Sequence, residues 1–492
     1  MKSACRKAWR IAGRCSFLLA AVLSAQPGPV APGTAAKTWH QARQREILAE
    51  YFDLLRLPNV AADTVNIRRN AEFIAAMYRK RGVATELLEV PGAPPVVFGE
   101  IRTPGATQTL VFYAHYDGQP VDPKQWTVTQ PWTPMIKDGR IYARASADDK
   151  APIQMIASAL DALQAARTPP RSNLKFFFEG EEEAGSPHVA AFLNKFKSKL
   201  DGDVWMFCDG PQHQSRQDQI VFGTRGVVGL NITLYGPKKE LHSGHYGNWA
   251  PNPAQMLVNL MASMRDDEGR VLIADFYKGV TPLTESEKAA IARMPDVATG
   301  LRQELALGRT LGDGQRLELL VNQPVLNLRG IASAAVGAES RNVVPSTATA
   351  SLDIRLVKGV TAADTLERVR AHVRKQGYFV VDRDPDEATL MAHPKVAKLA
   401  AEEGYNAVRT SMELPIAKKV VAAVEAARGP VIQMPTLGGS LPMALFEEIL
   451  RRPLIIVPTV NHDNNQHSHN ENLKLENLWA GIETMAALLA MN

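Results

Sequence analysis

Short apolar runs alternate with helical stripes through the first half of the chain, and three of the runs stop at an acid or an imidazole. Thr109 to Tyr113 leads into Ala-His-Tyr-Asp-Gly, Leu174 to Phe178 into Glu-Gly-Glu-Glu-Glu, and Val204 to Phe207 into Cys-Asp-Gly. Helical spacing over Trp39 to Leu55 and Val65 to Lys80 precedes strands around Glu86 to Glu89 and Val96 to Arg102. From Asp149 to Ala166, the residues Ile153, Ile156, Leu160 and Leu163 share one helical face. Strand, acidic turn, helix and strand repeat through Asp209, which predicts an α/β domain built on a doubly wound sheet.

Near Gly226 the rhythm changes. A strand (Val227 to Tyr235), a helix (Asn252 to Met264), two strands (Leu326 to Ser333, Ala348 to Val357), a helix (Ala362 to Gln376) and a strand (Tyr378 to Asp382) follow, giving a β-α-β-β-α-β, ferredoxin-like order. This predicts a smaller α+β domain over 226–386 inserted into a larger one that occupies 37–225 and 387–492. A helical excursion, Asp266 to Gln323, interrupts the insert and carries the capping-box pattern Thr284 to Glu287.

The first 25 residues read as an export leader, with an uncleaved signal anchor as the alternative: Lys2, Arg6, Lys7, Arg10 and Arg14 precede the apolar run Phe17 to Leu23 and the small residue Ala25. A Pro/Gly/Ala-rich linker, 26–36, follows. The five leader cations equal the whole formal charge of +5, so the mature chain is neutral and its charge gives no reason to expect nucleic acid or an anionic membrane as partner. Of the three cysteines, Cys5 and Cys15 leave with the leader, so the mature form has no disulfide. The expectation is a soluble, exported protein, periplasmic or secreted.

Taken in order, His115 with Asp117, Asp148 with Asp149, Glu181 to Glu183, Asp209 and a late cluster around His467 read as the ligand set of a two-metal hydrolase. Acids and imidazoles at neighbouring strand ends are how an open α/β sheet assembles a site. Oxygen and nitrogen donors suit zinc, with manganese and cobalt as alternatives. Each motif also has a plainer reading. Asp149 beside Asp148 fits the cap of the following helix, and Asp209 before Gly210-Pro211 fits a turn. Cys208 fits a buried small hydrophobe, and the histidines His462, His467 and His469 choose no single partner. In His115-Tyr116-Asp117, alternate residues of an extended segment let the carboxylate orient the imidazole. Tandem glutamates permit a division of labour, one binding metal and its neighbour moving a proton.

With these segments in place the chain resembles the metallopeptidase family of carnosine dipeptidase, glutamate carboxypeptidase, aminoacylase and succinyl-diaminopimelate desuccinylase. The resemblance rests on H-x-D at 115 to 117, DDK from Asp148, EE-x-GS at 182 to 186, Asp209, HSG at 242 to 244, GGS-x-P at 438 to 442 and HS-x-NE at 467 to 471. It implies that Asp148 bridges two metals, with His115 and Asp209 completing one site and Glu183 and His467 the other. Glu182 becomes the general base and Asp117 the orienting partner of His115. The insert becomes a lid and dimerisation domain whose His242 reaches across a homodimer to the scissile carbonyl. Asn342, Arg355 and Ser440 match positions that grip the substrate's terminal carboxylate or backbone.

The dipeptidase branch is the most similar, through HYDGQPVDP, Trp126 and the DDK-x-P turn. Two departures stand out: Ala143, Ala145 and Ala151 where relatives carry glycines, and no firm counterpart for a pocket histidine, for which His393 and Leu414 are both placed. The resulting expectation is metal-dependent hydrolysis of dipeptides or small peptides with a free C-terminal carboxylate. An N-acyl amino acid deacylase would use the same core, and a binding protein that had lost catalysis would not need Glu182.

Overall fold

The structure, a computed structural model, describes residues 30–492, so the leader and the first part of the linker lie outside the described residues. The rest of that linker is not linker throughout. Pro32 opens a helix, Pro32–Gln41, because its fixed φ and missing N–H suit a first turn. The helical stripe read over Trp39 to Leu55 is accordingly two helices, the second being Gln44–Leu55. The break lets each bury its own face: His40 stacks on Trp479 with ring centroids 5.4 Å apart, while the Tyr51 hydroxyl donates to the Ser146 carbonyl at 2.7 Å.

The larger sheet has eight strands in the order Ala84–Leu88, Val96–Ile101, Asn173–Glu179, Thr109–His115, Val204–Phe207, Leu454–Ile456, Gln219–Val221, Ile432–Met434. Its middle four run parallel, and the first two are antiparallel additions. Alternation along the strands feeds two cores. Leu110, Phe112 and Ala114 face the helices Gln44–Leu55, Thr64–Arg79, Lys150–Ala165 and Leu475–Leu489, while Val111, Tyr113 and Phe207 face Val189–Lys195 and Met443–Leu450. With both faces covered, polar groups at this sheet's centre belong at the strand ends.

The smaller sheet is five-stranded, in the order Val325–Ala332, Thr347–Leu356, Gly226–Tyr235, Val396–Tyr405, Phe379–Val381, with Pro253–Met264 and Ala362–Lys375 over one face. It runs past the boundary expected at 386. Val396–Tyr405 pairs antiparallel with Gly226–Tyr235 and parallel with Phe379–Val381, so the segment from Glu387 stays with the smaller sheet. Its Lys-Leu-Ala-Ala-Glu-Glu stretch has helix-favouring composition, and pairing on both sides overrides it. The capping box is present at Thr284 and Glu287. Among the described residues no helix is long and apolar enough to cross a membrane.

Two chain crossings join the sheets side by side: Gly223–Thr224 leaves the larger one and Val408–Arg409 returns antiparallel to it. A Cβ at Gly223 would sit 1.9 Å from the Val408 carbonyl oxygen and 2.7 Å from the Arg409 Cα, both backbone atoms that cannot rotate away. Gly223→Ala should therefore cost about 2–3 kcal/mol in denaturant unfolding. An unchanged midpoint would mean that the two crossings can part without consequence.

Candidate metal centre

The candidate ligands lie where the parallel strands end. His115 closes Thr109–His115, Asp209 follows Val204–Phe207, and Glu182 and Glu183 open the 3₁₀ turn after Asn173–Glu179. Asp148 comes from the loop ahead of helix Lys150–Ala165, and His467 from the loop after Leu454–Ile456. Asp148 is the common member. Its Oδ1 lies 3.0 Å from His115 Nε2 and its Oδ2 lies 3.2 Å from His467 Nε2. Glu183 Oε2 is 3.1 Å from His467 Nε2, and Asp209 Oδ2 is 4.0 Å from His115 Nε2. Two overlapping sets result, His115-Asp148-Asp209 and Asp148-Glu183-His467, each with ligand atoms within 4.8 Å of one another. Either set could hold a divalent cation, and every donor is nitrogen or oxygen.

Asp117 stands behind both sets. Its Oδ1 is 3.3 Å from His115 Nδ1, and its two oxygens accept the backbone N–H groups of Glu182 at 3.1 Å and Glu183 at 3.0 Å. One buried carboxylate thus fixes the imidazole and the turn that carries both glutamates. Gln119 donates to Glu183 Oε2 at 2.7 Å. Glu182 belongs to neither set, although its Oε2 comes within 4.0 Å of His115 Nε2. Glu181 turns away to His188, 2.9 Å distant. Asp149 occupies the cap position of the following helix but makes no side-chain cap bond; it is buried and accepts the His115 N–H at 3.2 Å.

The electrostatics of the group are those of crowded acid. Burial raises the Glu182 carboxyl well above the usual range against the pull of His115, and Asp209, Glu183 and Asp117 raise it further. Burial and then Asp148 push Asp209 up to about 7. Hydrogen bonds to Asp148 and Glu183 lift His467 to about 10. Asp148 alone is held low: burial opposes it, but hydrogen bonds from His115 and His467 prevail. Raised acids beside raised imidazoles mark a place where negative charge exceeds what the protein neutralises.

Glu471, assigned no role in the sequence, organises the Asp148 loop. The pairing of Asn472–Lys474 with Arg140–Tyr142 brings it beneath the Asp148 loop. Fully buried, its carboxylate accepts the N–H groups of Ala145, Ala147 and Asp148, each at 2.9 Å, and Arg144 Nη1 at 2.8 Å. Ala145 has φ +61° and donates its N–H in the first of these bonds. The only sequence signal was the last letter of HS-x-NE.

The substrate-type residues fall into two places. Arg355, on strand Thr347–Leu356, donates from Nη1 to Ser440 Oγ at 2.8 Å and so reaches from the smaller sheet to the GGS turn. His242 and Asn342 are exposed on a short ribbon in which Leu241–His242 pairs with Val343–Val344, and no hydrogen bond or ion pair among the described residues joins them to the carboxylates of the same chain. His393 is stacked on Phe379 with centroids 3.6 Å apart, and Leu414 packs against the larger core, so neither brings a polar group to the cluster. His462 and His469 are exposed and belong to neither ligand set. Cys208 is buried and outside both sets.

A mixed α/β sheet with paired His/carboxylate sets at its parallel strand ends is the architecture of a metal-dependent hydrolase. The chain belongs to peptidase family M20/M25/M40, whose model matches residues 111–491. It is 27% identical to a Beta-Ala-His dipeptidase from Homo sapiens over 88% of this chain and 84% of that protein. With a Cys-Gly metallodipeptidase, dug1, from Schizosaccharomyces pombe it shares 26% identity over 90% of this chain and 94% of that one. The solved structure of an M20 family metallo-carboxypeptidase, Sso-CP2 from Sulfolobus solfataricus, superposes with a TM-score of 0.76 at 27% identity, covering 91% of this chain and 99% of that one. The likeness to a dipeptidase branch seen in the motifs agrees with these relatives.

Glu471→Gln tests the support beneath Asp148. An amide presents an NH₂ to backbone N–H donors, so the loop loses its anchor while the ligands remain. Metal titration should show affinity weakened by about 10- to 100-fold with the overall circular dichroism retained. Unweakened binding would mean that the loop is set by other contacts.

Proposed function

We propose that the protein is a metallopeptidase that cleaves dipeptides or similarly small peptides with a free C-terminal carboxylate. One observation carries this reading: Asp148 belongs to both ligand sets while Glu182 stands beside them and in neither. Two divalent cations held by His115, Asp148, Asp209, Glu183 and His467, with zinc ahead of manganese or cobalt, would polarise the scissile carbonyl and lower the pKa of a shared water. Glu182 takes the proton of the attacking water and delivers it to the departing amine, a role open to a carboxylate that stands beside both ligand sets and in neither. Asp117 keeps His115 in orientation, and Arg355 with Ser440 receives the substrate's carboxylate, guanidinium being a planar fork that matches it. The names of the dipeptidase relatives support the substrate class.

The same reading makes the protein a homodimer through its smaller sheet, because His242 and Asn342 are presented outward on one ribbon and serve a neighbouring subunit's cleft better than their own. The basic and apolar pattern of the first 25 residues supports export to the periplasm or beyond.

Glu182→Ala should abolish turnover and keep both metal equivalents, measured by elemental analysis beside a dipeptide assay. Loss of one equivalent would reverse the roles of the tandem glutamates. Arg355→Ala should lower kcat/KM by on the order of 10²-fold, about 2.7 kcal/mol of transition-state stabilisation, with metal content unchanged. Assayed beside free dipeptides, C-terminally amidated ones should be poor substrates; equal rates would remove the carboxylate from the reading. Faster hydrolysis of N-acyl amino acids than of any dipeptide would make the enzyme a deacylase.

A further inference from the structure

At one end of the smaller sheet three strands stand in register, with Val227 facing Arg355 on one side and Tyr405 on the other. Residues directly opposite one another in antiparallel strands project from the same face. Arg355 and Tyr405 therefore share the face turned away from the helices, since Val228, Leu230, Leu352 and Ile354 fill the helix-covered side. Close backbone approach fixes this row: a Cβ on Gly226 would lie 2.4 Å from the Tyr405 carbonyl oxygen, and one on Gly404 would lie 2.3 Å from that of Val227. The half-buried Tyr405 ring packs on the apolar cluster containing Val408 and Met443. Arg355 in turn donates from Nη1 to Ser440 Oγ at 2.8 Å, which brings the GGS turn to the same face. Burial and then the Glu182 carboxylate push the phenol up to about 12, while Arg355 and the Ser440 hydroxyl act in the other direction.

A phenol kept protonated is a neutral hydrogen-bond donor. Beside a cluster that attracts cations, a neutral donor can strengthen the grip on an anion without adding positive charge that would repel those cations.

We propose that Tyr405 is a further substrate-binding residue whose hydroxyl donates to the C-terminal carboxylate alongside Arg355 and Ser440. This rests on the dipeptidase reading of the site.

The test is Tyr405→Phe in the metal-loaded full chain, a change that keeps the ring and its packing. KM for a free dipeptide should rise about 10-fold with kcat within about twofold, as expected for a lost hydrogen bond to a charged group. Competitive inhibition by a free amino acid should weaken by a similar factor, inhibition by the amino acid amide should not change, and metal content and unfolding midpoint should stay as they were. In an Arg355→Ala background the same change should cost at most about threefold, because the carboxylate is no longer anchored. Equal losses on free and amidated ligands, or full additivity with Arg355→Ala, would overturn the role of Tyr405 and leave the dipeptidase reading intact. An unmutated enzyme that hydrolyses no dipeptide, or that does not distinguish free from amidated ones, would overturn that reading and this proposal with it.

Discussion

Negative charge gathered at the ends of parallel strands is the constraint on which the site depends. The protein neutralises only part of it. Glu471 has three backbone N–H groups and Arg144, and Asp117 has two N–H groups and the His115 ring. Asp148, Asp209, Glu182 and Glu183 are left to share two imidazoles and one glutamine amide. The acids therefore divide into those satisfied internally, which hold loops, and those left in excess, which demand cations. Burying uncompensated charge is expensive, so the second group is best understood with positive charge among it.

The smaller sheet meets the larger part of the chain through a few polar contacts and a narrow passage of chain. Arg355 reaches the GGS turn, and the two crossings at Gly223–Thr224 and Val408–Arg409 run so closely together that a side chain on Gly223 has no room. Arg355 and Tyr405, the groups proposed to meet substrate, are consequently placed relative to the larger sheet by backbone packing, which is stiffer than long side chains spanning a cleft.

Much of this was legible in the chain because the chemistry coincides with abrupt changes in hydrophobic pattern. Strands such as Thr109–His115 are apolar on both faces and end at a charged group, so periodicity and ligand position reinforce each other. Val396–Tyr405 was not legible: its Ala and Glu content reads as helix, and only long-range pairing makes it a strand, which hid Tyr405 as well as the true extent of the smaller sheet. Glu471 was visible as a motif letter but not as a function, because its work is done through backbone N–H groups more than 300 residues earlier, a relation no local pattern encodes. The positive φ of Ala145 and its bond to Glu471 were likewise invisible in the sequence.

The ligands are unevenly distributed along the chain. His115, Asp148, Glu182, Glu183 and Asp209 are all synthesised before the smaller sheet begins, whereas His467 and Glu471 come after its last strand. As the polypeptide emerges from the ribosome, one ligand set is spelled out early, but the second, and the carboxylate that shapes the loop beneath Asp148, arrive only after the insert has been made. Domains fold largely as units during synthesis. A nascent chain thus contains Glu182 long before it has the second candidate ligand set, which forms only when the late segments carrying His467 and Glu471 join the earlier part of the larger sheet.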